Sequence, residues 1–173
     1  MTSTNPKTIL KAGNTNVTML WIRDDNLHEY QPFFQVYGIC FNDKNEVLII
    51  NEGSGWKIPG GHPEEGESAE ETLKRELIEE ADVEVSKCIP LGAQRIDFPN
   101  NPNTQEGDLF YQLRYVCLIN SFLPQTVDPA NGKIAERKFV PMEEVTTWVK
   151  WGEGGNAMFA DAIELFNVNK KYV

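Results

Sequence analysis

No apolar run in this sequence approaches the roughly eighteen residues that a membrane-spanning helix needs, and Val47–Ile50 is typical of the longest. The opening MTSTNPKTILK has no apolar core, so no secretory signal is expected there. Cysteine is scarce. Cys40, Cys88 and Cys117 are odd in number and far apart, and Cys40 and Cys117 lie inside apolar, strand-like runs. Buried free thiols are expected rather than a disulfide or a zinc site. Together these absences point to the cytoplasm. Basic residues are also few, 16 Lys and Arg against 26 Asp and Glu, which gives a formal net charge of −10 and a pI near 4.7. Long nucleic acid wants a basic face for its phosphate backbone, so that partner is not expected. A small phosphorylated ligand is compatible with the charge, because a bound metal reverses the local sign. What is present is ordinary globular composition in 173 residues, enough for one domain with a sizeable core.

Along the chain, residues 1–14 are polar, with Pro6 and Gly13, and are expected to form a loose arm ahead of a single domain over 15–173. Val17–Ile22 reads as a strand, and Phe33–Phe41, rich in aromatic and β-branched residues, as a second. Asn42–Asn45 is turn chemistry and Glu46–Asn51 returns as a third strand, so the two form a hairpin. Trp56–Ile58 is a short extended piece, broken by Pro59–Gly60–Gly61. A helix over Ala69–Ala81 follows, with Ser68 as N-cap and Glu71 completing a capping box. Val83–Val85 and Leu91–Phe98 read as two strands, Pro99–Gly107 as a loop and Asp108–Asn120 as a long strand. After a loop over Pro124–Gly132 come a short strand at Lys138–Val140, a helix opened by Pro141 through Trp148, and a last helix over about Asn156–Phe166. Mixed strands with one central and two terminal helices make an α+β arrangement.

The acidity is concentrated. Between Gly60 and Glu84 ten acidic side chains face only Lys74 and Arg75, so most of the net charge sits in one short stretch. On a helical wheel, Ala69, Leu73, Leu77 and Ala81 form one apolar stripe at i, i+4 spacing. Glu80 falls about 20° from Leu73, inside that stripe, Glu76 about 60° away on its edge, and Glu79 about 120° round. A glutamate on the core side of a helix is costly unless its charge is matched. For Glu64, Glu65, Glu70 and Glu71 the solvated reading suffices, since acidic residues favour the first turn of a helix. For Glu76, Glu79 and Glu80 a divalent cation is the stronger reading, against an alternative in which a buried Lys or Arg pairs with one of them. All-oxygen ligands and a helix without histidine or cysteine point to Mg²⁺ or Mn²⁺. The alternating carboxylates of a calcium-binding loop are absent.

These residues resemble the signature of the Nudix hydrolases. The pattern is Gly61, five residues, Glu67, seven residues, then Arg75-Glu76-Leu77-Ile78-Glu79-Glu80-Ala81-Asp82-Val83, with Asp82 standing where the family has its last glycine. The preceding WKIPGG is also similar to the family's usual approach to that box. The resemblance implies an α/β/α sandwich with a mixed β-sheet, and hydrolysis of a nucleoside diphosphate linked to another moiety. It implies that Glu76, Glu79 and Glu80 bind the metal with the backbone carbonyl of Gly60, while Gly61, Glu67 and Arg75 support the site. The general base differs among family members. Glu79 and Glu76 are candidates, and Glu136, before the Lys138–Val140 strand, is a third, with an ordinary surface charge as its alternative. Asp82 tolerates the left-handed conformation that ends such a helix, so the helix end is expected to survive.

Substrate recognition is expected outside the box. Trp56 could stack on a base, and Lys57, Arg95 and Arg114 could meet phosphate, each with packing or solvation as its alternative. Pro99, sixteen residues past Val83, resembles a spacing of the ADP-ribose-cleaving subgroup and tilts the expectation towards ADP-ribose or nucleotide sugars. The alternatives are a pyrophosphatase of damaged nucleoside triphosphates and a Nudix-fold module without catalysis. The expected partner is a small nucleotide, with neither membrane nor long nucleic acid, and a homodimer is compatible with the resemblance.

Overall fold

The computed structural model describes residues 5–103 and 105–170. Strand β1 (Lys7–Ala12) pairs antiparallel with β2 (Thr15–Arg23). This corrects the expectation of a loose arm for the part of residues 1–14 that is described. Its backbone is paired from Lys7↔Leu20 to Ala12↔Thr15. The Thr8 hydroxyl also accepts from Gly154 N–H (3.1 Å) and donates to the Trp151 carbonyl (3.2 Å), which ties the strand to the start of the last helix. Strands β3 (Phe33–Phe41) and β4 (Glu46–Asn51) match the expected hairpin, but they pair only at Phe41↔Val47 and then diverge. The gap they open is lined by β5 (Trp56–Lys57) on β4 and β6 (Gly60–Gly61) on β3.

Helix α1 (Ala69–Ala81) has the predicted ends. Ser68 and Glu71 form both bonds of the capping box, and Asp82 closes the helix at φ 48°, ψ 47°. Next comes one long strand, β7 (Val83–Asp97), where two shorter ones were expected. Pro90 is accommodated because the register shifts between Pro90 and Gly92, and a bulge needs no ladder donor there. Strand β8 (Leu109–Phe122) pairs antiparallel with β7 and parallel with β3. Strand β9 (Glu136–Pro141) pairs with β4. Beyond Pro141 the chain makes a 3₁₀ turn and a short helix α2 (Val145–Trp148) rather than one continuous helix. Helix α3 (Gly152–Asn169) starts earlier than its glycine-rich first turn suggests, with Thr8 supplying the cap.

The sheet order is β1–β2–β7–β8–β3–β4–β5. Side-chain alternation divides the core into two. Val36, Cys40, Leu113 and Cys117 pack with Leu73, Leu77 and Ala81 of α1 on one face. Ile39, Phe41, Val116 and Leu118 pack with Met158, Phe159, Ala162 and Phe166 of α3 on the other. The result is the expected α/β/α sandwich on a mixed sheet. The three cysteines are free, with Cys40 and Cys117 buried as expected. No helix among the described residues is long and apolar enough to cross a membrane.

Candidate active site

The gap between β3 and β4 holds a cavity of about 610 Å³. Glu76, Glu79 and Glu80 of α1 line it together with Gly60, Gly61, Lys57, Tyr37, Arg75 and the segment Asp128–Asn131. The i, i+3, i+4 spacing on one helix brings the three carboxylates to the same space. Two glycines let the β6 turn come close to them. Gly60 lies at φ +147°, and a side chain there would strike the backbone of Val36 and Tyr37. A Cβ on Gly61 would lie 2.6 Å from Glu76 Oε2, so a side chain there would take the space of the carboxylate itself.

Each carboxylate is held. Arg75 donates from Nε to Glu67 (2.7 Å) and from Nη1 to both Glu76 (3.0 Å) and Glu79 (2.8 Å), while Nη2 reaches the His62 carbonyl (2.9 Å). Arg75 therefore links the loop to the helix and aims two of the three glutamates. Glu67 in turn accepts from Glu64 N–H and the Thr72 hydroxyl. The Arg75 guanidinium and the Glu64 amide hold the Glu67 carboxyl down to about 2. Glu80 accepts from Gly60 N–H (2.8 Å) and from Lys57 Nζ (2.8 Å), which also meets Glu52 (2.7 Å). Burial alone would lower the Lys57 pKa, but the hydrogen bonds to Glu52 and Glu80 outweigh it and raise the value.

For Glu76 and Glu80 the balance goes the other way. Burial pushes both above the usual carboxylate range, despite Arg75 beside the first and the Gly60 amide and Lys57 beside the second. Glu76, Glu79, Glu80 and Asp128 line the cavity against only Lys57 and Arg75, so carboxylates outnumber cations there. One oxygen from each of Glu80, Glu52 and Asp128 lies within 4.8 Å of the others. A set of hard carboxylate oxygens around a glycine-cleared space fits a divalent cation such as Mg²⁺ or Mn²⁺.

Glu52 and Asp128 did not emerge from the sequence. Asp128, almost fully buried, accepts from Asn131 Nδ2 (2.6 Å), which also donates to Glu52. It is a carboxylate from a later loop that lines the cavity, where Glu136 was expected. Glu136 is exposed on β9 opposite Asn51 and does not line the cavity, because the β9 pairing with β4 places Ala135 inward and Glu136 outward. Two further expected residues lie outside the cavity lining. Trp56 packs edge-on against Trp148 with Lys138 near both rings, away from the cavity wall. Arg95 pairs with Asp97 (3.1 Å) and also lies off it. Arg114 does not reach the carboxylates. It lines a neighbouring pocket with Trp151, and Tyr37 forms part of both walls.

Comparison with known proteins agrees with this geometry. A family model described as the NUDIX domain matches residues 32–159. An 8-oxo-dGTP diphosphatase of Proteus vulgaris is 35% identical over 69 residues, 36% of this chain, and the chain spans 62% of that relative's length. Among solved structures, a pyrophosphohydrolase of Bacillus subtilis superposes over 91% of this chain and 96% of its own, with a TM-score of 0.68 at 18% identity. A Nudix hydrolase from Nitrosomonas europaea covers 81% of this chain and 91% of its own, with a TM-score of 0.53 at 19% identity. At these identities the structural likeness is one of fold. The matched span takes in the sheet from β3 to β9, helix α1 with its carboxylates, and the start of α3, and the chain belongs to the Nudix family.

Proposed function

We propose that the chain is a divalent-metal-dependent pyrophosphohydrolase acting on nucleoside diphosphate derivatives. One observation carries the reading: Glu76, Glu79 and Glu80 converge on a single cavity whose opposite wall brings up Asp128. Glu76, Glu79 and Glu80 would hold Mg²⁺ or Mn²⁺, helped by the Gly60 carbonyl. The bound ion would screen the charge of the diphosphate and acidify a water. Without that screening, carboxylates would repel the substrate.

The chain's own residues do the rest. Arg75 fixes Glu76 and Glu79 through one nitrogen, so whichever of the two takes the proton of the attacking water does so from a set position. Gly61 keeps that position clear. Lys57, bonded to Glu80 and Glu52, lines the cavity and would offer its charge to the phosphates. Asp128, held by Asn131, adds a fourth carboxylate from outside the helix.

The finer reading is an ADP-ribose or nucleotide-sugar substrate, supported by the position of Pro99. A second reading, hydrolysis of damaged nucleoside triphosphates, is supported by the relative that acts as an 8-oxo-dGTP diphosphatase. A module without catalysis is disfavoured by the intact Arg75-Glu76 and Glu79-Glu80 pairs. The test is a panel of ADP-ribose, nucleotide sugars, dinucleoside polyphosphates, and normal and oxidised nucleoside triphosphates, incubated with Mg²⁺ and read by the phosphate species released. A nucleoside monophosphate product from a diphosphate-linked substrate is the expected result. Release of pyrophosphate from triphosphates alone would favour the second reading.

A further inference from the structure

Arg114 is a buried cation with no opposite charge beside it: it is 1% exposed, and among the described residues no carboxylate lies within ion-pair reach. Its Nη2 donates to Gln94 Oε1 (3.0 Å) and Gln112 Oε1 (2.9 Å), its Nη1 to the Leu113 carbonyl (3.2 Å), and its Nε is buried without a partner. The guanidinium lies 4.4 Å from the Tyr37 ring centre and 5.8 Å from that of Trp151. Burial pulls its pKa down to about 10. A buried cation without a counter-charge is costly to keep, and general stability does not require it.

The guanidinium lines a pocket of about 250 Å³ with Leu10, Met19, Gln94, Lys150 and Trp151. Because Arg114 has only donors, both glutamines must turn their oxygens to it. The Gln112 amide nitrogen is also taken, by Gln35. What the pocket has left to offer a ligand is mainly donors: Arg114, the Gln94 amide nitrogen and the exposed Lys150 ammonium at its rim, with the Tyr37 hydroxyl able to donate as well. A donor-rich pocket with two positive charges suits an acceptor-only ligand of matching charge. A phosphate monoester, at roughly −1.5 to −2, matches two cations better than a carboxylate does. Tyr37 lines both this pocket and the carboxylate cavity, so the two lie side by side.

We propose that the Arg114 pocket is a second anion subsite, which binds a phosphoryl group of the substrate other than the diphosphate that is cut. The proposal rests on the hydrolase reading above and narrows it to nucleoside diphosphate derivatives that carry a further phosphate.

The test avoids metal and turnover. Protein in EDTA is titrated with inorganic phosphate at constant ionic strength, alongside sodium acetate and sodium chloride, and binding is followed by calorimetry. Without metal the carboxylate cavity repels anions, so phosphate binding reports on the Arg114 pocket. Saturable phosphate binding is expected, weakened about tenfold or more in Arg114→Gln, the loss of a charged hydrogen-bond donor. A several-fold weakening is expected in Lys150→Ala. Should Arg114→Gln fail to fold, Lys150→Ala decides the matter, since that side chain is exposed at the rim. Phosphate binding no stronger than chloride, acetate binding as strong as phosphate, or affinity unmoved by Lys150→Ala would each overturn the proposal. Absence of this subsite leaves the hydrolase reading standing, and a substrate panel without turnover leaves phosphate binding in EDTA unaffected.

Discussion

Asp82 accepts two hydrogen bonds from Thr126 through one carboxylate oxygen, 2.9 Å from the backbone nitrogen and 2.6 Å from the hydroxyl. Its carbonyl accepts from Leu123 N–H (2.8 Å), and Arg137 Nη1 reaches the neighbouring Ala81 carbonyl (3.0 Å). At the single position where the box departs from the family pattern, the side chain takes the left-handed conformation a glycine would adopt. It adds something glycine lacks: a tether from the end of α1 to the loop that presents Asp128. Asp82→Ala is expected to lose about 2–3 kcal/mol of stability, since it forfeits two charge-assisted bonds at a buried site and keeps the backbone strain. Asp82→Gly, which relieves about 1 kcal/mol of that strain, should fall between parent and Asp82→Ala. Urea denaturation of the three proteins checks the order, and equal stabilities would dismiss the tether.

Gly61 is expected to be a position where fold and activity separate. A methyl group there meets the carboxylate of Glu76, a flexible group that can move aside, rather than backbone. Gly61→Ala should therefore melt close to the parent while losing at least about tenfold in kcat, because about 1.4 kcal/mol of misplacement at a carboxylate proposed to hold the metal or take the proton is enough. A variant with unchanged kcat would show that Glu76 does not need its present position.

Lys57 bridges Glu52 and Glu80, and its side chain is 28% exposed. Lys57→Met leaves two half-buried carboxylates facing each other without their cation. The metal-free variant should be about 2 kcal/mol less stable than the parent. Added Mg²⁺ should recover more stability in the variant than in the parent, as measured by melting with and without Mg²⁺. An identical Mg²⁺ response in both proteins would separate Lys57 from the metal site.

The pH dependence of Glu67 has a defined sign. Its carboxyl is held down to about 2, from an ordinary 4.5, by Arg75 and the Glu64 amide. A lowered folded-state pKa contributes stability that is present above about 4.5 and disappears as pH falls towards 2. Glu67→Gln should thus be destabilised at neutral pH and converge on the parent in strong acid. Melting curves from neutral pH down to about pH 2.5 provide the comparison, and a stability gap that widens in acid would reverse the assignment.

Features set by local chemistry were legible from the residues alone. The α1 boundaries, its Ser68–Glu71 capping box and the strands at Phe33–Phe41 and Glu46–Asn51 follow from periodicity and turn residues next to them. The three glutamates facing the cavity were legible for the same reason, since one helix fixes their mutual spacing. What was missed depends on distant partners. β1 is a strand because β2 pairs with it and α3 needs Thr8, not because its own residues demand it. β7 passes through Pro90 because a bulge spares the missing N–H. Asp128 reaches Glu80 through a loop tied to Asp82 at Thr126 and held by Asn131, and no periodicity links those positions. Trp151 rather than Trp56 lines the pocket beside Arg114, a choice made by the packing of α3 on the sheet.

The central claim is that the carboxylates of α1 form a metal site at which a diphosphate is cut. Glu80→Gln keeps the size of the side chain but only one acceptor in place of the two oxygens that meet Gly60 N–H and Lys57, so it should melt below the parent in EDTA while remaining folded. Its hydrolysis of whichever panel substrate the parent cleaves fastest, at saturating Mg²⁺, should fall at least about a hundredfold, the scale of a lost electrostatic contact to the transition state. Turnover at the parent's rate by a folded Glu80→Gln protein would contradict the account.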